Sequence, residues 1–296
     1  MQPQLLHHPR QVAPAGSGTL VHITPEEAGW AFITFGVRRL AGGQRWTSET
    51  GRDEVCLVLL RGLCRIAWDG GAPQTLGPRE DVFTAYPHAV YLPPDASFTL
   101  EAVETTEIAE CRTPTGERHP ARVIAPADCG FEIRGGGNAT RQIVDIMPPA
   151  FPAGRLMICE VFTPGGNWSS YPPHKHDADD PPVEADLEET YYFRMRQPEG
   201  YAFQRIYRQD GSFDETFMVR DGDLLLIRDG YHPFVTAHGF DAYYLNVLAG
   251  ERRSMAARDD PRYARFRREW PAPDPRLPLV PRPAPTSEAL ARGADS

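Results

Sequence analysis

The stretch Asn167-Trp-Ser-Ser-Tyr-Pro-Pro-His-Lys-His-Asp177 decides how this chain is read. His174 and His176 are separated by one residue. On a β-strand, residues i and i+2 lie on one face, about 6.7 Å apart along the strand. Two imidazoles so placed can converge on one metal ion. Pro172 and Pro173 stiffen the approach and cannot serve the ladder of a central strand. An acidic, Pro-containing loop follows over Asp177–Asp186. The chain then re-enters a strand at Leu187-Glu-Glu-Thr-Tyr-Tyr-Phe193, where Glu188 or Glu189 offers a third ligand. A further histidine comes roughly forty residues later, in Gly230-Tyr-His-Pro233. An isolated His-x-His is usually chance. The full set, His-x-His then Glu then a distant His at strand spacing, is specific, and it describes a facial metal site inside a β-barrel.

Outward from this stretch, the chain is a succession of short β runs broken by Gly, Pro and Asp. Ala31–Val37, Glu54–Leu60 and Gly62–Trp68 read as strands, and Asp69-Gly-Gly71 marks a hairpin. Asp81–Ala85, Ala89–Leu92 and Ser97–Val103 extend the series. After a crossover near Pro114–Pro126, the plan repeats. Gly42-Gly-Gln-Arg-Trp-Thr-Ser48 matches Gly165-Gly-Asn-Trp-Ser-Ser170. Each precedes an acidic residue and an apolar run, Glu54-Val-Cys-Leu-Val58 against Glu189-Thr-Tyr-Tyr-Phe193. Many short strands with an internal repeat imply an all-β chain of two tandem barrels. The expected divisions are an arm over 1–19, a degenerate barrel without metal over 20–118, a metal-binding barrel over 119–270 and a tail over 271–296. The amphipathic stretch Asp259–Trp270 predicts a short C-terminal helix. The Pro-, Ala- and Arg-rich tail predicts disorder.

Composition excludes other classes. The 296 residues are 41% hydrophobic, enough for a sizeable core, and carry a formal net charge of −9. That balance opposes nucleic-acid binding, which needs a basic face, and attachment to anionic membranes. No apolar run reaches the length of a membrane helix, and the first twenty residues lack a signal-peptide core. The five scattered cysteines fit reduced thiols, and the expected location is cytoplasmic. Of 31 basic residues only Lys175 is a lysine, and it lies between the two histidines. Strand parity turns it away from the face they share.

These residues resemble the 5-deoxy-glucuronate isomerase family of bacterial myo-inositol catabolism. The resemblance rests on Gly165–Asp177, Leu187–Arg194, Phe203-Gln-Arg-Ile-Tyr207, Gly230-Tyr-His-Pro233 and Tyr243-Tyr-Leu-Asn-Val-Leu-Ala-Gly250. It covers nearly the whole second half, while the first half matches as a degenerate barrel. It implies a bicupin of two cupin-type barrels, related to the 5-keto-4-deoxyuronate isomerases. The implied reaction converts 5-deoxy-glucuronate to 5-dehydro-2-deoxy-gluconate. The implied ligands are His174, His176, Glu188 and His232. A gapless alignment favours Glu188, whereas the general cupin pattern, counted back from the strand end, favours Glu189. Only one can ligate, because adjacent strand residues face opposite sides.

The implied cofactor is one divalent metal per chain, zinc first, with manganese, iron or nickel as alternatives. Moving two hydrogens between adjacent carbons needs a polarised carbonyl and a proton shuttle. Glu189, Tyr192 and Tyr207 are the candidate catalytic groups. Arg205 is the candidate for gripping a substrate carboxylate in bidentate fashion. Gln204 and Tyr244 could orient hydroxyls, and Lys175 completes the substrate-binding set despite its parity. The expected partners are a small uronic acid and a second copy of the chain in a homodimer. The competing readings are an isomerase for another deoxy uronate, an iron-dependent cupin oxygenase and a non-catalytic sugar-binding cupin.

Overall fold

The computed structural model describes residues 4–13 and 16–283. Strands dominate. Among the described residues helix is confined to one four-residue α-turn, Pro25–Ala28, and two 3-10 segments. The chain builds two antiparallel β units of one plan. The first is a nine-stranded sheet around the sixteen-residue strand Asp53–Trp68. The two runs Glu54–Leu60 and Gly62–Trp68 are therefore one strand, bulged where the register slips between Leu59 and Arg61 and again between Gly62 and Cys64. Gly62 has φ +99°, and a Cβ there would sit 2.5 Å from the Thr105 carbonyl oxygen, so only glycine fits. The hairpin at Asp69–Gly70 has positive φ at both residues, the geometry that suits a tight β-turn.

The second unit faces a seven-stranded sheet against a four-stranded one. The larger sheet runs Leu6–His7, Leu224–Ile227, Glu188–Met195, Ala242–Ala249, Met157–Thr163, Arg141–Met147 and Glu132–Arg134. The arm expected to precede the first barrel thus supplies an edge strand to the second. Leu6 pairs with Leu225.

Parity sorts the residues of the larger sheet. One face carries Val144, Ile158, Phe162, Tyr192, Tyr243 and Leu245 into a core shared with Phe35, Tyr91 and Phe83 of the first unit. The other face carries Ile143, Val161, Tyr191, Phe193 and Tyr244 into the second unit's own interior. The shared core contains a fully buried ion pair, Arg79 with Glu160, bonded in two places at 2.8 and 2.9 Å. The Tyr243 hydroxyl donates to the same Glu160 at 2.9 Å. A buried guanidinium and carboxylate joined this way fix how the units dock, because losing either partner strands a charge in apolar surroundings.

Two glutamates complete the docking reciprocally. Glu54 of the first unit accepts from the main-chain N–H groups of Gly154, Arg155 and Leu156 at 2.6–2.8 Å. Glu188 of the second unit accepts from those of Ala31, Phe32 and Ile33. Each carboxylate satisfies the segment that leads into a strand of the opposite unit.

The C-terminal region departs from expectation. Over Asp259–Trp270 the helix shrinks to a 3-10 turn at Ala264–Arg268, preceded by the strand Arg258–Asp259 that pairs with His174–Lys175. Residues 271–283, expected to be disordered, pack on the body of the molecule. Val280 is fully buried, and its main-chain N–H and C=O both bond the Gln142 side chain. The rest of that tail lies outside the described residues.

Candidate metal centre

Three donors converge at one end of the second barrel. Glu189 Oε2 lies 2.9 Å from His176 Nε2 and 3.2 Å from His232 Nε2. These three residues are all buried, and among the described residues they form the one group of His, Cys, Asp or Glu whose donor atoms come together tightly enough to hold an ion. His174 stands beside them, its ring centroid 4.8 Å from that of His232 and 6.4 Å from that of His176.

The backbone dictates which nitrogen each ring presents. His176 Nδ1 lies 3.1 Å from the Leu187 carbonyl, His232 Nδ1 lies 3.0 Å from that of Gly230, and His174 Nδ1 lies 3.2 Å from that of Pro172. A carbonyl only accepts, so each Nδ1 carries the hydrogen and each Nε2 keeps a lone pair. The Nε2 atoms of His176 and His232 then aim lone pairs at a carboxylate oxygen. His232 Nε2 is buried and has no hydrogen-bond partner. Such a set of acceptors is stable around a cation. Two imidazoles and a carboxylate, each imidazole held by a carbonyl behind it and with the His174 ring alongside, fit a divalent metal. Asn246 Nδ2 donates to Glu189 Oε1 at 2.6 Å and orients the carboxylate from behind. Burial works to raise the Glu189 pKa, but its interactions with His176 and His232 and the hydrogen bond from Asn246 together bring it down. Burial, reinforced by His232 and His176, drives His174 well below the usual histidine range.

Glu188, the expected ligand, is on the wrong face. Its carboxylate points across to Ala31–Ile33, and Glu189 takes the place among the histidines. The same parity removes Tyr192 from the site. It lies in the core between the units, its ring 5.8 Å from that of Phe35, and Tyr191 is the tyrosine beside the histidines. Tyr207 donates to Asp260 at 2.6 Å and packs against the Tyr231 ring, and it does not line the cavity at the histidines. Arg205 lies at a separate aromatic groove and is paired with Asp214 at 2.6 Å. Gln204 is buried behind His232, donating to its main-chain carbonyl. Tyr244 stacks on Tyr191 at 4.4 Å and donates to Ser169 at 3.0 Å, so it backs the site. Lys175 follows parity and points away. It bonds Asp177 and the buried Glu184, neutralising the acidic hairpin that the sequence shows as an irregular insertion.

The donors open onto a cavity of about 410 Å³, within the usual range for small-ligand sites. Its walls include residues the sequence reading passed over, Arg134, Arg141, Asp145, Ser170, Tyr191, Asn246 and Arg267. Alternation supplies the signal that finds them. Arg141, Ile143 and Asp145 share one face of a strand, and Tyr191 and Asn246 share the face of Glu189 on theirs. Asp145 is the second carboxylate at this cavity. Burial raises its pKa, opposed by the nearby Arg134 charge.

The KduI/IolB family model matches residues 5–266. A Geobacillus kaustophilus protein named 5-deoxy-glucuronate isomerase is 44% identical over 250 residues, which span 84% of this chain and 91% of the relative. The protein of that name from Bacillus subtilis strain 168 is 37% identical over 269 residues, 90% of this chain and 97% of its own. The crystal structure of an IolB-like protein from Salmonella typhimurium LT2 superposes with a TM-score of 0.84 at 34% identity, covering 89% of this chain and 99% of that one. An oxalate decarboxylase from Bacillus subtilis superposes with a TM-score of 0.61 at 12% identity, over 87% of this chain and 79% of its own, and shares the fold alone. The two units are tandem cupin-type barrels, as the repeat predicts. No helix among the described residues is long and apolar enough to cross a membrane. With this profile match and these relatives at near full length, the chain belongs to the KduI/IolB family and is an enzyme of the sugar isomerase type.

Proposed function

We propose that this chain interconverts 5-deoxy-glucuronate and 5-dehydro-2-deoxy-gluconate, using a divalent metal held by His174, His176, Glu189 and His232. The observation that carries the reading is the convergence of Nε2 lone pairs on Glu189 Oε2, with every Nδ1 fixed by a carbonyl. The names of the relatives support the substrate. A cation in this place would act as a Lewis acid on the substrate carbonyl. Zinc suits the donors, and manganese, iron and nickel fit the same set.

The rest of the chemistry belongs to the protein. A proton must leave the carbinol carbon beside the aldehyde and reach the aldehyde carbon, while a hydroxyl proton moves between the two oxygens. Asp145 takes the shuttle role. Asp145 lines the cavity, its carboxylate has no hydrogen-bond partner among the described residues, and burial raises its pKa, the direction that suits a group that must both accept and return a proton. The Tyr191 hydroxyl, 2.8 Å from Ser170 Oγ, presents a second polar group to the substrate hydroxyls. Leu187, Leu248 and Ile143 provide apolar wall that excludes water from the acidic C–H.

Proton NMR in D2O tests the proposal, with 5-deoxy-glucuronate and enzyme before and after chelation. Aldehyde resonances should give way to ketose resonances, stop with chelator and resume with one added divalent metal. Deuterium in the new CH2OH would accompany transfer through an exchangeable carboxyl. An unchanged spectrum from metal-replete enzyme would refute the assignment.

A further inference from the structure

Three arginines reach the cavity beside the metal centre, and their partners separate them. Arg134 is bonded by Glu132 at 2.8 and 2.6 Å. Arg267 is bonded by Asp259, with Nη2 at 2.7 Å. Arg141 has no carboxylate. It is 3% exposed, and its Nη1 donates to the Ala139 and Tyr171 carbonyls at 3.4 and 3.1 Å. Its other N–H groups have no hydrogen-bond partner among the described residues. The Trp270 ring lies against it, 5.9 Å from the guanidinium carbon. A buried guanidinium without a counter-ion is costly to desolvate unless an anion completes it. Burial pulls its pKa down to about 10, the direction expected of a cation with no counter-ion.

We propose that Arg141 is the carboxylate-binding residue of this site, gripping the acid end of the sugar through its free N–H edge and thereby selecting uronic acids over neutral sugars. The inference rests on the isomerase reading for the identity of the sugar, but the anion requirement stands on the unpaired guanidinium itself. The strand Arg141–Met147 gives the assignment a direction. Arg141 and Asp145 are on the same face of one strand, both lining the cavity. An acid group held at Arg141 therefore leaves the rest of a short sugar chain to run along the wall that Asp145 shares. Arg134 and Arg267 add positive potential while keeping their own carboxylates, so they steer the anion without being its main partner. Arg267 comes from the C-terminal turn, so part of the cavity wall is built by residues that follow the last strand of the barrel.

The test compares 5-deoxy-glucuronate with its neutral uronamide, on metal-loaded wild type, Arg141→Met and Arg141→Lys. Calorimetric affinity and kcat/KM are both read. Wild type should prefer the acid at least about tenfold, and Arg141→Met should lose roughly a hundredfold in affinity for the acid while the uronamide changes less than about threefold. Arg141→Lys keeps the charge without the fork and should fall between them. The Tm of Arg141→Met should equal or exceed that of wild type, because an unpaired buried charge is replaced by an apolar chain of similar length. If Arg141→Met keeps the acid preference, or wild type has none, the proposal is overturned. Should Arg141→Met fail to fold, the same ratio in Arg141→Lys decides, an undiminished preference refuting the fork. Failure of wild type to isomerise either compound would refute the proposed function alone, since the affinity ratio is still measured.

Discussion

Glu54 and Glu188 occupy one position in the two barrels, and so do their next neighbours, Val55 and Glu189. The ladders establish this. Val55 pairs with Leu92 at the end of its neighbouring strand, and Glu189 pairs with Ile227 at the end of the corresponding one. At the first position the barrels agree, each carboxylate closing three main-chain N–H groups of the other barrel. At the second position they differ. The first barrel has an apolar side chain in its core, and the second has the carboxylate that meets His176 and His232. The repeated residue holds the two units together, and the unrepeated one is the carboxylate of the proposed metal site. A duplicated fold therefore distinguishes scaffold from site when its halves are compared by ladder register.

Substitutions can break this comparison at several strengths. The largest effect is expected of Glu189→Val, which gives the second barrel the first barrel's residue. Isomerisation followed by NMR should fall about 10³-fold or more, while circular dichroism keeps the native β spectrum. Loss of the fold instead would mean that Glu189 is structural. Next come Glu54→Ala and Glu188→Ala, each leaving three main-chain N–H groups without their carboxylate. Each should cost about 3 kcal/mol in urea unfolding, with metal content unchanged in the folded protein. A large difference between the two costs would break their equivalence.

Smaller effects sharpen the assignment of faces. Tyr191→Phe removes the hydroxyl bonded to Ser170 and should lower kcat/KM about tenfold. Tyr192→Phe acts in the core between the barrels and should leave kcat/KM within about twofold. The opposite ranking would place the wrong face toward the substrate. Smallest of all should be Arg205→Ala. That exposed pair with Asp214 is worth at most about 1 kcal/mol, so substrate affinity measured by calorimetry should hold.

The sequence makes the barrels, the repeat and three of the four proposed donors legible, because His-x-His and a His in a Gly–Pro turn need no register to be located. The carboxylate does need one. In Glu188-Glu189 a shift of one residue changes the face, and the acidic hairpin before it hides the count. That single slip carries Tyr192 with it, because Tyr192 shares parity with Glu188. It also misaligns the repeat, which pairs Glu54 with Glu189 by sequence and with Glu188 by ladder. Arg205 fails for another reason. Its partner Asp214 sits on the adjacent strand, where only pairing brings them together. Arg141 is overlooked as the first residue of a strand, and its significance lies in having no counter-ion, which a sequence does not display. Val280 is likewise hidden in a Pro-rich composition, although Gln142 holds it at both main-chain groups.

The most direct measurement is metal content by mass spectrometry on wild type, Glu188→Gln and Glu189→Gln, each purified, loaded with zinc and dialysed side by side. The account predicts about one equivalent in wild type and in Glu188→Gln, and about a tenth or less in Glu189→Gln. Full occupancy in Glu189→Gln together with loss in Glu188→Gln would contradict it, because the metal would then lie on the face that joins the barrels.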